Sequence, residues 1–312
     1  MTGPFEDKWI CLKRTVGYVG WSVFWLLLWD VAVTVDAMLV EGYDLELPLM
    51  PLTLLCSALV VLISFRNSSV YNRWWEARTL WGSMVNTSRS YAREVLTLID
   101  GEGQQRANPI KSVLFHRHVA YLHALKAHLR GGKPALDGLL PEVEIARGMS
   151  SSNFPNDILS GSATLLADEY HAGRLDSIRL ARLESTLVDL SNAQGGMERI
   201  ANTPLPYPYV YFPRLFSALF CVIMPLSLVP ALGWYTPVIS TVVGCLLLAM
   251  ERIGTDLQAP FGNSQHRIRM DDLCGNIEKN LCSMYNRPGQ AALHFQPASG
   301  DTAFLYAHCI HR

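Results

Sequence analysis

"SFRNSSVYNRWWEARTLWGS", residues 64–83, follows without a break on "LPLMPLTLLCSALVVLI", residues 47–63. The first segment is apolar enough to enter a membrane. The second carries Arg66, Arg73, Glu76 and Arg78, with Trp74 and Trp75 side by side and no turn signal before Gly82. Pro48 and Pro51 stand where a helix begins, and proline suits a first helical turn. From Leu52 to Trp81 neither Pro nor Gly intervenes. One continuous helix is expected to carry the chain out of the bilayer into a polar region.

Three further stretches can cross a hydrocarbon core, which takes about 20 apolar helical residues. They are residues 16–40, 209–232 and 234–250; with 47–65 they make four spans. Trp and Tyr near their ends suit the headgroup level. Lys8, Lys13 and Arg14 precede the first span, and Arg66, Arg73 and Arg78 follow the second. The loop between them, "EGYDLE" at 41–46, has acids and no Lys or Arg. Arg252 follows the fourth span. The positive-inside rule then places both termini and the middle segment in the cytoplasm.

The middle segment reads as helix interrupted at 100–109 and at the Gly/Pro/Ser-rich 131–156. Between these, "FHRHVAYLHALKAHLR" has apolar residues three and four apart. After them "DSIRLARLESTLVDLSNAQGGMERIAN" reads as a long amphipathic helix ending near Pro204, and the tail from Asn286 reads as irregular. Half of the 312 residues are hydrophobic and 17% are charged. That balance fits a protein part membrane, part polar domain. A net charge of −1 excludes bulk nucleic-acid binding. Seven cysteines lie scattered, none in a CxxC pair, which reads as reduced thiols and not as a disulfide framework or zinc site. No cleavage pattern of a secretory signal follows the first apolar run.

Ser57, Val61 and Phe65 fall at i, i+4 and i+8 and so share one helix face. On a single helix such a stripe is core or lipid contact. In a ring of helices it lines an axis, where apolar constrictions gate ions by dewetting. Arg66 is expected at the membrane boundary with its charge reaching water or phosphate. The Arg/Trp helix beyond it is expected to pack on neighbouring helices through ion pairs and Arg–Trp stacking.

"FRNSSVYNRWWEARTLWG", "NAQGGMERIANTPLPYPYVY" and "APFG" followed by "DDLCGNIEKNL" together resemble the bacterial branch of the bestrophin family. The resemblance implies an all-α homopentamer around one axial pore, in the bacterial inner membrane. It divides the chain into 1–65 with the first two membrane helices, a cytosolic helical region at 66–205, the last two membrane helices at 206–252, and a cytosolic segment at 253–312. It places an apolar neck at Ser57, Val61 and Phe65. Counted back from Pro206 without a gap, it places a cytosolic aperture at Ile178. Ser57 departs from the bulky apolar residue usual at the first neck position, so Val61 and Phe65 are expected to form the effective gate. Animal members clasp calcium with an acidic cluster after this Pro-Phe-Gly motif. Here His266, Arg267 and Arg269 come before Asp271 and Asp272. Calcium prefers several carboxylates, so no calcium site and no other cofactor is expected.

His116, His118, His123 and His128 lack ligand spacing on a helix and read as packing or polar residues. Asp30 lies deep in the first span, where acids are costly. It either bonds a neighbouring helix or lines the ion path, and Asp36 sits nearer the outer boundary. Arg214 is expected to snorkel, and Glu251 and Asp256 to end the fourth span at the cytosolic interface. No nucleotide or hydrolase motif is present, so the chain does not read as an enzyme. The resulting expectation is a passive channel for monovalent ions in contact with membrane lipids. Glu41, Asp44 and Glu46 at its outer mouth, with the intramembrane acids, favour cations by their field. The alternatives are an anion-selective channel of the same family and a non-conducting membrane scaffold or sensor.

Overall fold

The computed structural model describes residues 17–40, 48–99, 109–262 and 266–285. They form helices α1 (Trp21–Leu39), α2 (Leu49–Leu98), α3 (Pro109–Arg130), α4 (Glu142–Gly148), α5 (Phe154–His171), α6 (Ser177–Asn202), α7 (Tyr207–Leu232), α8 (Thr236–Leu257) and α9 (Met270–Tyr285), with a 3₁₀ turn at Gly233–Tyr235. The chain divides into two compact units. One comprises Met1–Trp74 and Pro204–Arg267, the other Trp75–Thr203 and Ile268–Arg312.

The first unit holds α1, the first half of α2, α7 and α8. Three helical stretches are long and apolar enough to cross a membrane: Trp21–Leu39, Leu49–Leu98 and Tyr207–Leu257. The third folds back at Gly233, whose φ of 53° suits a residue without a Cβ. It yields α7 and α8, of 26 and 22 residues. They run antiparallel: a Cβ on Gly244 would lie 3.3 Å from Cys221 Sγ and 2.3 Å from Leu26 Cδ2. Glycine there lets α1, α7 and α8 approach closely, as small residues do between membrane helices. Pro213, Pro225 and Pro230 are accommodated inside α7; neighbouring helices and hydroxyls can re-satisfy the freed backbone groups. Leu52, Leu59 and Ile63 of α2 pack with Phe220, Met224 and Leu247. Trp21, Phe24, Trp25 and Leu28 of α1 face outward, a surface suited to lipid.

The second unit is built around α3, which contacts α5, α6 and α9. Arg117 Nη1 and Nη2 bind Glu144 at 2.7 Å each, and Nη2 also donates to the Ile158 carbonyl. A Cβ on Gly161 would sit 2.0 Å from that guanidinium, so glycine admits the arginine. Asn153 caps α5 and Asp176 caps α6 with their side-chain oxygens. Gly196 brings α6 against Leu80 of α2.

One boundary differs from the sequence expectation. The stretch 131–156 is not uninterrupted loop: it contains α4 and the start of α5. Helix α2 passes through Gly82 and continues to Leu98. A helical glycine costs about 1 kcal/mol relative to alanine. Burial of Trp81, Met84, Tyr91, Ala92 and Val95 on either side of it outweighs that cost. The tail from Asn286 lies outside the described residues.

Candidate functional site

Helix α2 has two faces. At 100° per residue, Leu59, Ile63, Arg66 and Val70 point one way and are buried. Ser57, Val61 and Phe65 point the other way. Val61 is 53% and Phe65 68% exposed, against 0% for Ile63. The three residues thus share a face that nothing among the described residues covers. The Ser57 hydroxyl donates to the Thr53 carbonyl at 2.9 Å, so its hydrogen is turned back onto the helix.

The same face continues beyond the neck. In the first unit Ser68 and Asn72 occupy it, both exposed. In the second unit Thr79, Ser83, Asn86 and Arg93 occupy it, again exposed. No carboxylate falls on this stripe. The two glutamates of α2 lie to its side and are paired, Glu76 with Arg199 and Glu94 with Arg182. The sequence reading stopped at Phe65. Extending the 3.6-residue period over all fifty residues would have found the rest.

Ile178 is 82% exposed, in the first turn of α6. The Asp176 carboxylate accepts the backbone N–H groups of Ile178 and Arg179, which fixes the helix start and with it the isoleucine. Glu41, Asp44 and Glu46 lie outside the described residues.

Arg66 corrects an expectation. It is 1% exposed and does not reach outward to water. Its Nη1 meets Glu251 Oε1 at 3.3 Å and its Nη2 meets Thr255 Oγ1 at 2.9 Å. Asn67 adds a bond to the Met250 carbonyl, and Gly254 leaves the room for it. This clamp of α2 on α8 escapes sequence reading, because the partners lie some 185 residues apart. Asp256 accepts from the Tyr18 hydroxyl at 2.6 Å, and Arg214 is exposed as expected. Asp30 is fully buried, and its Oδ2 accepts from Thr241 Oγ1 of α8 at 2.8 Å. Of its two readings, the structure shows the interhelical bond.

Further along α2, Trp81 is buried and Trp74 donates to the His266 carbonyl. The four histidines do separate work. His118 is enclosed with Tyr91 and Tyr121, and burial pushes its imidazole down to about 3, so it is neutral at pH 7. His123 and His128 approach Glu278 and Glu198, and His116 bonds the Ser112 carbonyl. Asp271, the first acid after the basic run, is bound by Arg130 at 2.8 Å and by Lys126 at 3.1 Å. The Arg130 hydrogen bonds, with the Lys126 ammonium beside them, hold its carboxyl down to about 2.

The described residues thus form an all-helical fold with three stretches long and apolar enough to cross a membrane, and its longest helix carries an exposed apolar stripe. The model of the bacterial/fungal bestrophin proteins matches residues 12–283, and the chain belongs to that family. The voltage-dependent anion channel-forming protein YneE of Escherichia coli K12 is 32% identical over 260 residues, covering 82% of this chain and 83% of the relative. The protein of the same name from Salmonella typhi is 31% identical over 259 residues, with 82% and 83% covered. The crystal structure of a bacterial bestrophin homologue from Klebsiella pneumoniae, phased on zinc, is similar with a TM-score of 0.79 at 28% identity; the match covers 85% of this chain and 98% of that one. Family and relatives are those of an ion channel, and none of these relatives bears an enzyme's name.

Proposed function

We propose that the chain assembles with copies of itself, as a pentamer, into a passive anion channel of the bacterial inner membrane, with both termini cytoplasmic. Val61 and Phe65 form the neck, Ser57 stands at its outer edge, and Ile178 forms a second constriction. The observation that carries this reading is the uncovered face of α2 in a chain similar, over four-fifths of its length, to proteins named as anion channel-forming.

The anion choice replaces the cation preference drawn from the sequence. The relatives' names favour anions. Asp30, one source of the supposed cation field, is buried against Thr241 and away from the uncovered face. That face instead carries the Asn72 and Asn86 amides and the Ser68 and Ser83 hydroxyls, able to donate hydrogen bonds, while Ser57 and Thr79 donate to their own helix; Arg93 lies further along, with Glu76 and Glu94 paired. Donors and a guanidinium attract anions. Calcium has no part in this reading, since Asp271 already has two cationic partners.

The test is a reversal potential across proteoliposomes under a KCl gradient. It is expected near the chloride equilibrium potential. A value near that of potassium overturns the anion assignment, and absence of any flux leaves the scaffold reading in its place.

A further inference from the structure

A carboxylate buried among membrane helices takes a partner of opposite charge or a proton. Glu251, at the other end of the first unit, has such a partner in Arg66. Among the described residues Asp30 has none. Helix α1 contains no Lys, Arg or His. The basic residues of α7 and α8 are Arg214 and Arg252. Trp29 Nε1 reaches the Val222 carbonyl and Asp30 reaches Thr241, which fixes the level of the acid on both helices. At 1.5 Å per residue, Arg214 and Arg252 lie about 12 and 16 Å away along their axes.

The oxygens around Asp30 are incompletely used. Its Oδ2 takes the Thr241 hydroxyl, while its Oδ1 has no hydrogen-bond partner among the described residues. The Ser240 hydroxyl, wholly buried, lies beside this carboxylate and likewise has no partner of hydrogen-bonding geometry. A hydroxyl next to a carboxylate oxygen ordinarily closes the bond. Here neither oxygen meets the other in hydrogen-bonding geometry. Thr236, one turn away on the same face of α8, is a further buried hydroxyl without a partner. Thr34 donates to the Asp30 carbonyl at 2.7 Å, which leaves its own lone pairs available. The remaining close neighbours, Leu26 and Val33 of α1, Cys221 of α7 and Gly244 of α8, offer no positive charge.

We propose that Asp30, Ser240 and Thr241 bind a small monovalent cation of the sodium class inside each subunit. A water between these oxygens satisfies the hydrogen bonds and leaves the charge unbalanced. A cation satisfies both, and hard carboxylate and hydroxyl oxygens are the donors such an ion takes. The close approach of α1 to α8 at Gly244 restricts the space to a small ion. The ion is structural, not conducted. It ties α1 to α8 behind the helices and not on the uncovered face of α2, and the inference stands whichever ion the channel passes.

The experiment is thermal unfolding of the full-length protein in lipid nanodiscs, with NaCl titrated against N-methylglucamine chloride at constant ionic strength and pH. Sodium is expected to raise the midpoint with the logarithm of its concentration above the dissociation constant, by about 4 °C at a hundredfold excess. Asp30→Asn should abolish the rise, and Ser240→Ala should increase the sodium needed about tenfold. Should Asp30→Asn fail to assemble, the Ser240→Ala titration decides. Equal midpoints in the two salts for the wild type overturn the proposal. So does an unshifted curve for Ser240→Ala, or a midpoint that follows pH and ignores sodium, which marks a protonated carboxyl. Because the readout is stability, a protein that binds sodium yet conducts nothing separates this site from the channel reading.

Discussion

Phe65 and Arg66 are neighbours in sequence and opposites in environment. The apolar ring stands 68% exposed and the guanidinium is 1% exposed. Hydrophobicity alone would have exchanged them. Helical geometry turns Phe65 to the uncovered face of α2 and Arg66 to the face that meets α8, where Glu251 and Thr255 receive it. The covered face holds the subunit together. Among the described residues the uncovered face makes no packing contact at Val61 and Phe65, which leaves it free to meet another copy, lipid or water.

That contrast can be broken experimentally. The largest effect is expected from Arg66→Ala, which strands the Glu251 carboxylate in a nearly closed site. It should cost about 3–5 kcal/mol and be read as a lowered unfolding midpoint; a midpoint unchanged within error would show the clamp to be idle. A smaller effect of opposite sign is expected from Gly82→Ala. A Cβ there meets only Arg78 Nη1, at 3.7 Å. Alanine should therefore stabilise α2 by about 0.5–1 kcal/mol, a rise in midpoint measurable in the same assay. The smallest stability effect, about 0.5 kcal/mol or less, is expected from Phe65→Ala on the uncovered face. The same variant should raise single-channel conductance in planar bilayers, because the widest side chain of the neck is gone. A large loss of stability with unchanged conductance would place Phe65 in packing and not in the neck.

Much of this was legible from the sequence. The apolar runs mark the spans, and an unbroken Pro- and Gly-free stretch marks α2. The i, i+4, i+8 spacing puts Ser57, Val61 and Phe65 on one face, and all three are exposed in the structure. Ile178 was reachable only through resemblance. Its exposure depends on the Asp176 cap, a local signal overlooked in a run read as continuous helix. The continuation through Gly82 was legible too, since the middle segment shows no interruption before residue 100, and buried contacts on both sides offset the cost of the glycine. The cation preference rested partly on Asp30, an acid in a span counted as field in a water path, and the structure places it between helices.

Residue order alone determined what must be helical, what is apolar enough for the bilayer, and which α2 residues share a face. These are local matters, set by backbone geometry and by transfer from water. Tertiary structure decided where each charge resides: Arg66 on Glu251, Asp30 on Thr241, Glu76 on Arg199. Such pairs join residues 123 to 211 positions apart. The electrostatics that fix them depend on distance in space, and separation along the chain does not encode it.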